Sequence, residues 1–168
     1  MHIEILNCKD ERLESYIIKA LVYYGGRLIS KRILNNISID IIFDEDMTDL
    51  GGASIEGYIT AKKPREFLIE ISSKIGAKSV LMTLAHEMVH IKQYAYCETN
   101  EYLSKWQGVH IDSDAVDYYD LPWEIEAYGK EQGLFSGFVM QEKLWEVIED
   151  VNVPDSPIEQ EEMGWKAL

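Results

Sequence analysis

The segment "LMTLAHEMVHIKQYA" (residues 81–95) sets His86 and His90 four positions apart, with Glu87 directly after the first. In an α-helix residues i and i+4 lie one turn apart on the same face, so two imidazoles at this spacing can converge on one metal ion. The residue at i+1 projects about 100° away, yet a glutamate there can reach round to a water held in the ion's open position. Zinc lowers the pKa of such a water to about 7, and a carboxylate that takes the proton delivers hydroxide to a carbonyl carbon polarised by the same ion. The chemistry these residue types support is amide hydrolysis, with Glu87 as general base.

Two histidines alone hold zinc weakly, and a catalytic site wants three protein ligands and one open position. Downstream, His110, Glu124 and Glu126 are the candidates. The two glutamates fall in "LPWEIEAYGKEQGL" (121–134), which reads as a helix with Pro122 in its first turn, where a missing N–H costs nothing. They point about 200° apart on that helix, so they cannot both face one ion. Glu124 shares a face with Ala127, Tyr128 and Glu131, and Glu126 with Gly129, Lys130 and Gly133; spacing alone leaves the choice open. Cys97, seven residues beyond His90, lies about 10 Å further along the axis and is set aside.

Elements that could position these residues are legible around them. Leu81, Leu84, Met88, Ile91 and Ala95 form a stripe at helical period over residues 77–96, displaced from the face that carries the histidines. Residues 10–34 carry Leu13, Ile17, Leu21, Tyr24 and Leu28 at the same period, with Gly25-Gly26 expected to kink or divide the helix. "ISIDIIF" (37–43), "IEGYITA" (55–61) and "REFLIEIS" (65–72) read as strands, and "DEDMTDLGGAS" (44–54) as a loop. Residues 98–120 are too irregular for an element, and 137–150 read as a further helix. The expected fold is α+β: an N-terminal helix, a short mixed sheet of about three strands, the helix with His86 and His90, and a following helix bearing the third ligand.

At 168 residues the chain suits one domain, expected over residues 1–150, with an acidic tail over 151–168. Its 46% hydrophobic content excludes disorder over most of its length. The net charge of −14 opposes binding to nucleic acid, which needs clustered Lys and Arg; the short basic stretch "AKKPR" (61–65) reads as a solvated loop. Two cysteines, Cys8 and Cys97, are too few for a disulfide framework. With no apolar run long enough for a membrane span and no signal-peptide pattern in "MHIEILNCKDER", a cytoplasmic protein is expected.

"TLAHEMVHIKQYA", the later "WQG" and then "PWEIEAYGKE" together resemble the SprT-like metallopeptidases of phages and bacteria. More broadly the chain is similar to the minimal gluzincins, compact zinc peptidases whose third ligand is a glutamate on a later helix. The resemblance covers roughly residues 30–135. It implies a small zincin-like fold, zinc held by His86, His90 and Glu124, and Glu87 as general base in peptide-bond hydrolysis. The family pattern Glu-x-x-Ala followed by Asp or Asn aligns with Glu124, Ala127 and Tyr128, so Tyr128 replaces a residue that would steady a ligand histidine. In SprT-like relatives a downstream histidine is the third ligand, a part open here to His110, and Glu126 also stands as an alternative. The resemblance further implies that an edge strand, taken as "REFLIEIS", borders the cleft and holds substrate by strand addition. His110, Tyr118, Tyr119 and Tyr128 are candidate oxyanion donors. The partner is then a peptide or protein substrate. The rival readings are a metal-bound, catalytically silent protein that grips a partner, and a DNA-associated protease, which the charge disfavours. For the tail, "IEQEEMGWKAL" carries carboxylates that could approach the cleft and hold the enzyme inactive.

Overall fold

A computed structural model describes residues 1–60, 63–144 and 148 of the chain. The architecture is α+β. A mixed sheet comprises β1 (His2–Leu6), β2 (Ser38–Asp44), β3 (Gly51–Thr60) and β4 (Lys63–Ser72), in the order β1-β2-β4-β3. β1, β2 and β4 run parallel and β3 runs antiparallel to β4. The helices are α1 (Glu11–Leu28), the single turn α2 (Lys31–Leu34), α3 (Ala77–Ala95) and α4 (Pro122–Glu142). A two-residue hairpin, β5 (Lys105–Trp106) with β6 (Val109–His110), and two 3-10 turns join α3 to α4.

Strand parity fixes the core. Ile39, Ile41 and Phe43 on β2 and Phe67, Ile69 and Ile71 on β4 alternate with more exposed residues and point to one face, where they join one apolar cluster with the helices. α1 starts on Asp10, whose carboxylate accepts from the amides of Arg12 and Leu13 at 2.8 and 3.2 Å, a cap that satisfies two otherwise orphan donors. Ile17, Leu21 and Tyr24 then bury one side of α1, and the Tyr24 hydroxyl donates to the Leu81 carbonyl of α3 at 3.1 Å. The whole stripe Leu81, Leu84, Met88, Ile91 and Ala95 is buried. α3 is covered on its other side as well by α4, so its polar residues are enclosed too.

Five expectations need correction. The sheet has four strands rather than about three, because the extended N-terminus pairs with β2 as β1. "REFLIEIS" is not at the edge: as part of β4 it lies between β2 and β3, and the edge strand is β3. β3 begins at Gly51, inside the stretch read as a loop, since the glycines that suggested a turn here permit close approach instead. A Cβ on Gly51 would stand 2.5 Å from Thr83 Cγ2 on α3 and 3.0 Å from the Glu70 carbonyl. Gly25-Gly26 does not divide α1, which runs unbroken to Leu28; Gly25 is the point where α1 meets Leu34 and Met88. The helices read at 121–134 and from 137 are one element through Glu142; the end of the second reading beyond Leu144, apart from Ile148, and the tail 151–168 lie outside the described residues. No helix among the described residues is long and apolar enough to cross a membrane.

Candidate metal centre

α3 carries His86 and His90 to its face against α4, and the first turn of α4 brings Glu124 opposite them. Pro122 opens α4, Trp123 is fully buried, and Glu124 follows in the first turn. There the unpaired amides and the helix dipole favour a carboxylate. His86, His90 and Glu124 are all buried, with one ligand atom of each lying within 4.8 Å of the others. The two Nε2 atoms are 3.0 Å apart. Glu124 oxygens stand 3.3 Å from Nε2 of His86 and 3.6 Å from Nε2 of His90.

The outer ring nitrogens determine what the inner ones can do. Nδ1 of His86 donates to a Glu131 carboxylate oxygen at 2.8 Å. Nδ1 of His90 meets Oε1 of Gln93 at 2.9 Å. Each imidazole thus directs its proton outward and leaves a lone pair on Nε2, the arrangement that prepares a histidine for metal. Oε2 of Glu124 is buried and has no hydrogen-bond partner. Two imidazoles and a carboxylate facing one another in a buried space fit a cation, and these three residues are close enough to hold one.

Burial and mutual attraction compete in setting the charges of the cluster. Burial opposes a charge on His86, but Glu124, Glu87 and Glu131 outweigh it and raise its pKa above the ordinary value. Burial likewise opposes ionisation of Glu124, yet its two histidine partners, with the Tyr118 hydroxyl facing it, hold the carboxyl down at about 2. Glu87 is also enclosed; burial raises its pKa, against the lowering influence of His90, His86 and the Ala53 backbone amide on β3.

A cleft of about 740 Å³ opens over His86 and Glu87, walled by Tyr118, Tyr119, Tyr128 and Glu131 on one side and by Leu50 and Gly51, at the start of the edge strand, on another. Because the Leu50 carbonyl accepts from Ser72 on β4, the odd-numbered residues Gly51 and Ala53 turn their backbone groups to the open edge. Glu126 is turned away from the cluster, onto Lys92 Nζ at 2.7 Å and Gln93 Nε2 at 3.1 Å. His110 is exposed on the β5–β6 hairpin. Cys97 ends α3 with φ of 58°. In the Schellman arrangement there, Cys97 and Glu98 amides return to the Tyr94 and Gln93 carbonyls at 2.9 and 2.8 Å.

Tyr128, standing where the family pattern has an acid or amide, packs its ring edge-on against His86 with centroids 4.6 Å apart. The carboxylate that steadies His86 comes instead from Glu131, one turn further along the face that Glu124 occupies. Periodicity placed Glu131 on that face but assigned it no role. Gln93 escaped notice, although its position three residues after His90 is the signal that would have found it. Compared with protein-family models, with curated proteins and with solved structures, the chain matches none.

Proposed function

We propose that this protein is a zinc-dependent metallopeptidase with a zincin-like fold, in which His86, His90 and Glu124 hold the metal and Glu87 is the general base. The observation that carries the reading is a buried His-His-Glu cluster whose His86, together with a second buried glutamate, Glu87, lines one cleft beside an open strand edge. Two imidazoles and one carboxylate are a donor set suited to catalytic zinc. Ligand atoms around a tetrahedral zinc at about 2.0–2.1 Å stand about 3.3–3.4 Å apart; here the two Nε2 atoms are 3.0 Å apart, with one Glu124 oxygen 3.3 Å from His86 and the other 3.6 Å from His90. The resemblance to SprT-like peptidases and minimal gluzincins points the same way.

Zinc, when bound, supplies a Lewis acid that acidifies a water and polarises a peptide carbonyl. The chain's own residues do the rest. Glu87 takes a proton from water and passes it to the departing amine, a shuttle favoured by the burial that raises its pKa above the ordinary carboxylate value. Tyr118, with its hydroxyl at the Glu124 carboxylate, is the cleft residue we assign to donate to the oxygen that becomes negative as the carbonyl is attacked. The outward backbone groups of Gly51 and the outward carbonyl of Ala53, whose amide is turned to Glu87, receive an extended peptide as an added strand. Tyr119 and Tyr128 wall the cleft on one side.

Metal analysis of the purified protein, with digestion of a peptide library by wild type and Glu87→Gln, tests the proposal. The expected result is about one zinc per chain in both proteins and cleavage by wild type only. Cleavage retained in Glu87→Gln rejects the mechanism. Zinc-loaded wild type that retains peptides and cuts none would favour the silent binding protein instead.

A further inference from the structure

We propose that Lys92 and Glu126 act through Gln93 as positioning residues that fix His90 in the tautomer able to bind metal through Nε2. The inference rests on His90 being a metal ligand and is independent of whether the site cleaves peptides.

Gln93 is fully buried between α3 and α4. Its amide nitrogen donates to the Trp123 carbonyl at 2.9 Å and to Oε2 of Glu126 at 3.1 Å. Both amide hydrogens are thereby engaged by groups that can only accept. Oε1 of Gln93 is left facing Nδ1 of His90 at 2.9 Å, and because this oxygen only accepts, the ring must carry its proton on Nδ1. Nε2 then presents a lone pair toward His86 and Glu124.

The reversed amide shows why Glu126 matters. Turned over, Gln93 would offer N–H to Nδ1, drive the ring proton onto Nε2 and close that atom to a metal. It would also press its own oxygen against the Trp123 carbonyl and the Glu126 carboxylate, three acceptors together in a buried space. The negative charge on Glu126 thus biases Gln93, and Gln93 biases His90. Lys92 anchors Glu126 at 2.7 and 3.1 Å and reaches Glu98 at 2.6 Å on its other side. The turn that ends α3 returns Glu98 to within reach of Lys92, so the helix terminus and the first turn of α4 are tied to one ammonium. Glu126, which the sequence offered as a ligand, serves the metal two hydrogen bonds away.

Full-length variants titrated with zinc against a competing chelator, together with ¹⁵N NMR of the imidazoles in metal-free protein at alkaline pH, test the inference. Gln93→Leu should weaken zinc binding about 10–100-fold, the range for loss of a group that orients a ligand. Glu126→Ala should weaken it about tenfold; in both, the His90 signals should move from the Nδ1–H tautomer toward a mixture. Gln93→Glu should weaken zinc binding, since it sets a carboxylate against the Trp123 carbonyl and Glu126. Adding Glu126→Gln restores a donor opposite it and should recover part of the loss, a rescue that general damage to packing does not produce. An unchanged His90 tautomer in Glu126→Ala, or a double variant as weak as Gln93→Glu, overturns the inference. If Gln93→Leu fails to fold, Glu126→Ala decides, because its site is half-open to solvent. Zinc binding lost in wild type would reject the metal site, while the tautomer measurement would still report on the relay.

Discussion

Nδ1 of His86 lies 2.8 Å from the carboxylate of Glu131, seven residues beyond Glu124 on α4. One helix therefore supplies both a proposed metal ligand and the acceptor that aims His86 at the same point. Two turns of helix separate the two carboxylates, and the His86 ring bridges that gap. Glu131→Ala should weaken zinc binding about 10–100-fold with the fold retained. Glu131→Gln, which keeps an acceptor oxygen, should lose less; chelator competition measures both.

Glu124→Ala removes the proposed ligand rather than its support. Its loss of zinc should exceed the 10–100-fold that supporting changes cost, whereas Glu126→Ala should stay near the lower end of that range. Metal content after dialysis against a weak chelator ranks the two, and the opposite order would mean that Glu126 is the ligand.

As a proposed metal ligand, His86 would be shared between protons and metal. Burial disfavours the imidazolium, but Glu124, Glu87 and Glu131 raise its pKa above 6.5, so its contribution to the metal-free fold is full below 6.5 and lost as pH rises through the raised value. Burial disfavours the Glu124 carboxylate too, but His86 and His90 lower its pKa from 4.5 to about 2, so its contribution is full above 4.5 and lost as pH falls toward about 2. Both describe one His86–Glu124 attraction, which should support metal-free protein most between 4.5 and 6.5. Melting temperatures of metal-free protein should decline on both sides of that window. With zinc the alkaline decline should disappear, and calorimetry in buffers of different ionisation enthalpy should show proton release on binding.

Tyr118→Phe removes the hydroxyl that faces Glu124 and keeps the ring. If that hydroxyl steadies the oxyanion, kcat should fall about 10²–10³-fold while zinc content stays near wild type. Equal loss of zinc and of turnover would place Tyr118 in ligand support instead. The comparison requires a peptide that the wild type cleaves and parallel metal analysis.

Gly51→Ala probes the seam between the edge strand and α3. Its Cβ would meet Thr83 Cγ2 at 2.5 Å and the Glu70 carbonyl at 3.0 Å, and a backbone neighbour cannot swing aside as a side chain can. A loss of about 1–3 kcal/mol is expected, read by chemical denaturation. Gly52→Ala, with open space around its Cβ position, is the control.

The sequence by itself determined the helix that carries His86 and His90, the buried stripe beneath them, the α+β class, and the grouping of Glu124 with Ala127, Tyr128 and Glu131 on one face. These follow from periods of 3.6 and 2, which are properties of a single element and need no knowledge of its neighbours. Only the tertiary structure decided that Glu124 faces the histidines, that Glu126 is taken by Lys92 and Gln93, and that His110 stands apart on a hairpin. The same is true of β3, rather than β4, at the sheet edge: alternation tells which way side chains point and nothing about which strand lies outermost. A helical period gives the angle between Glu124 and Glu126, but not which of those directions meets α3. That depends on how α4 docks, and burial of Trp123, Ala127, Phe135 and Phe138 along its length sets the orientation in which Glu124 is enclosed with the two imidazoles.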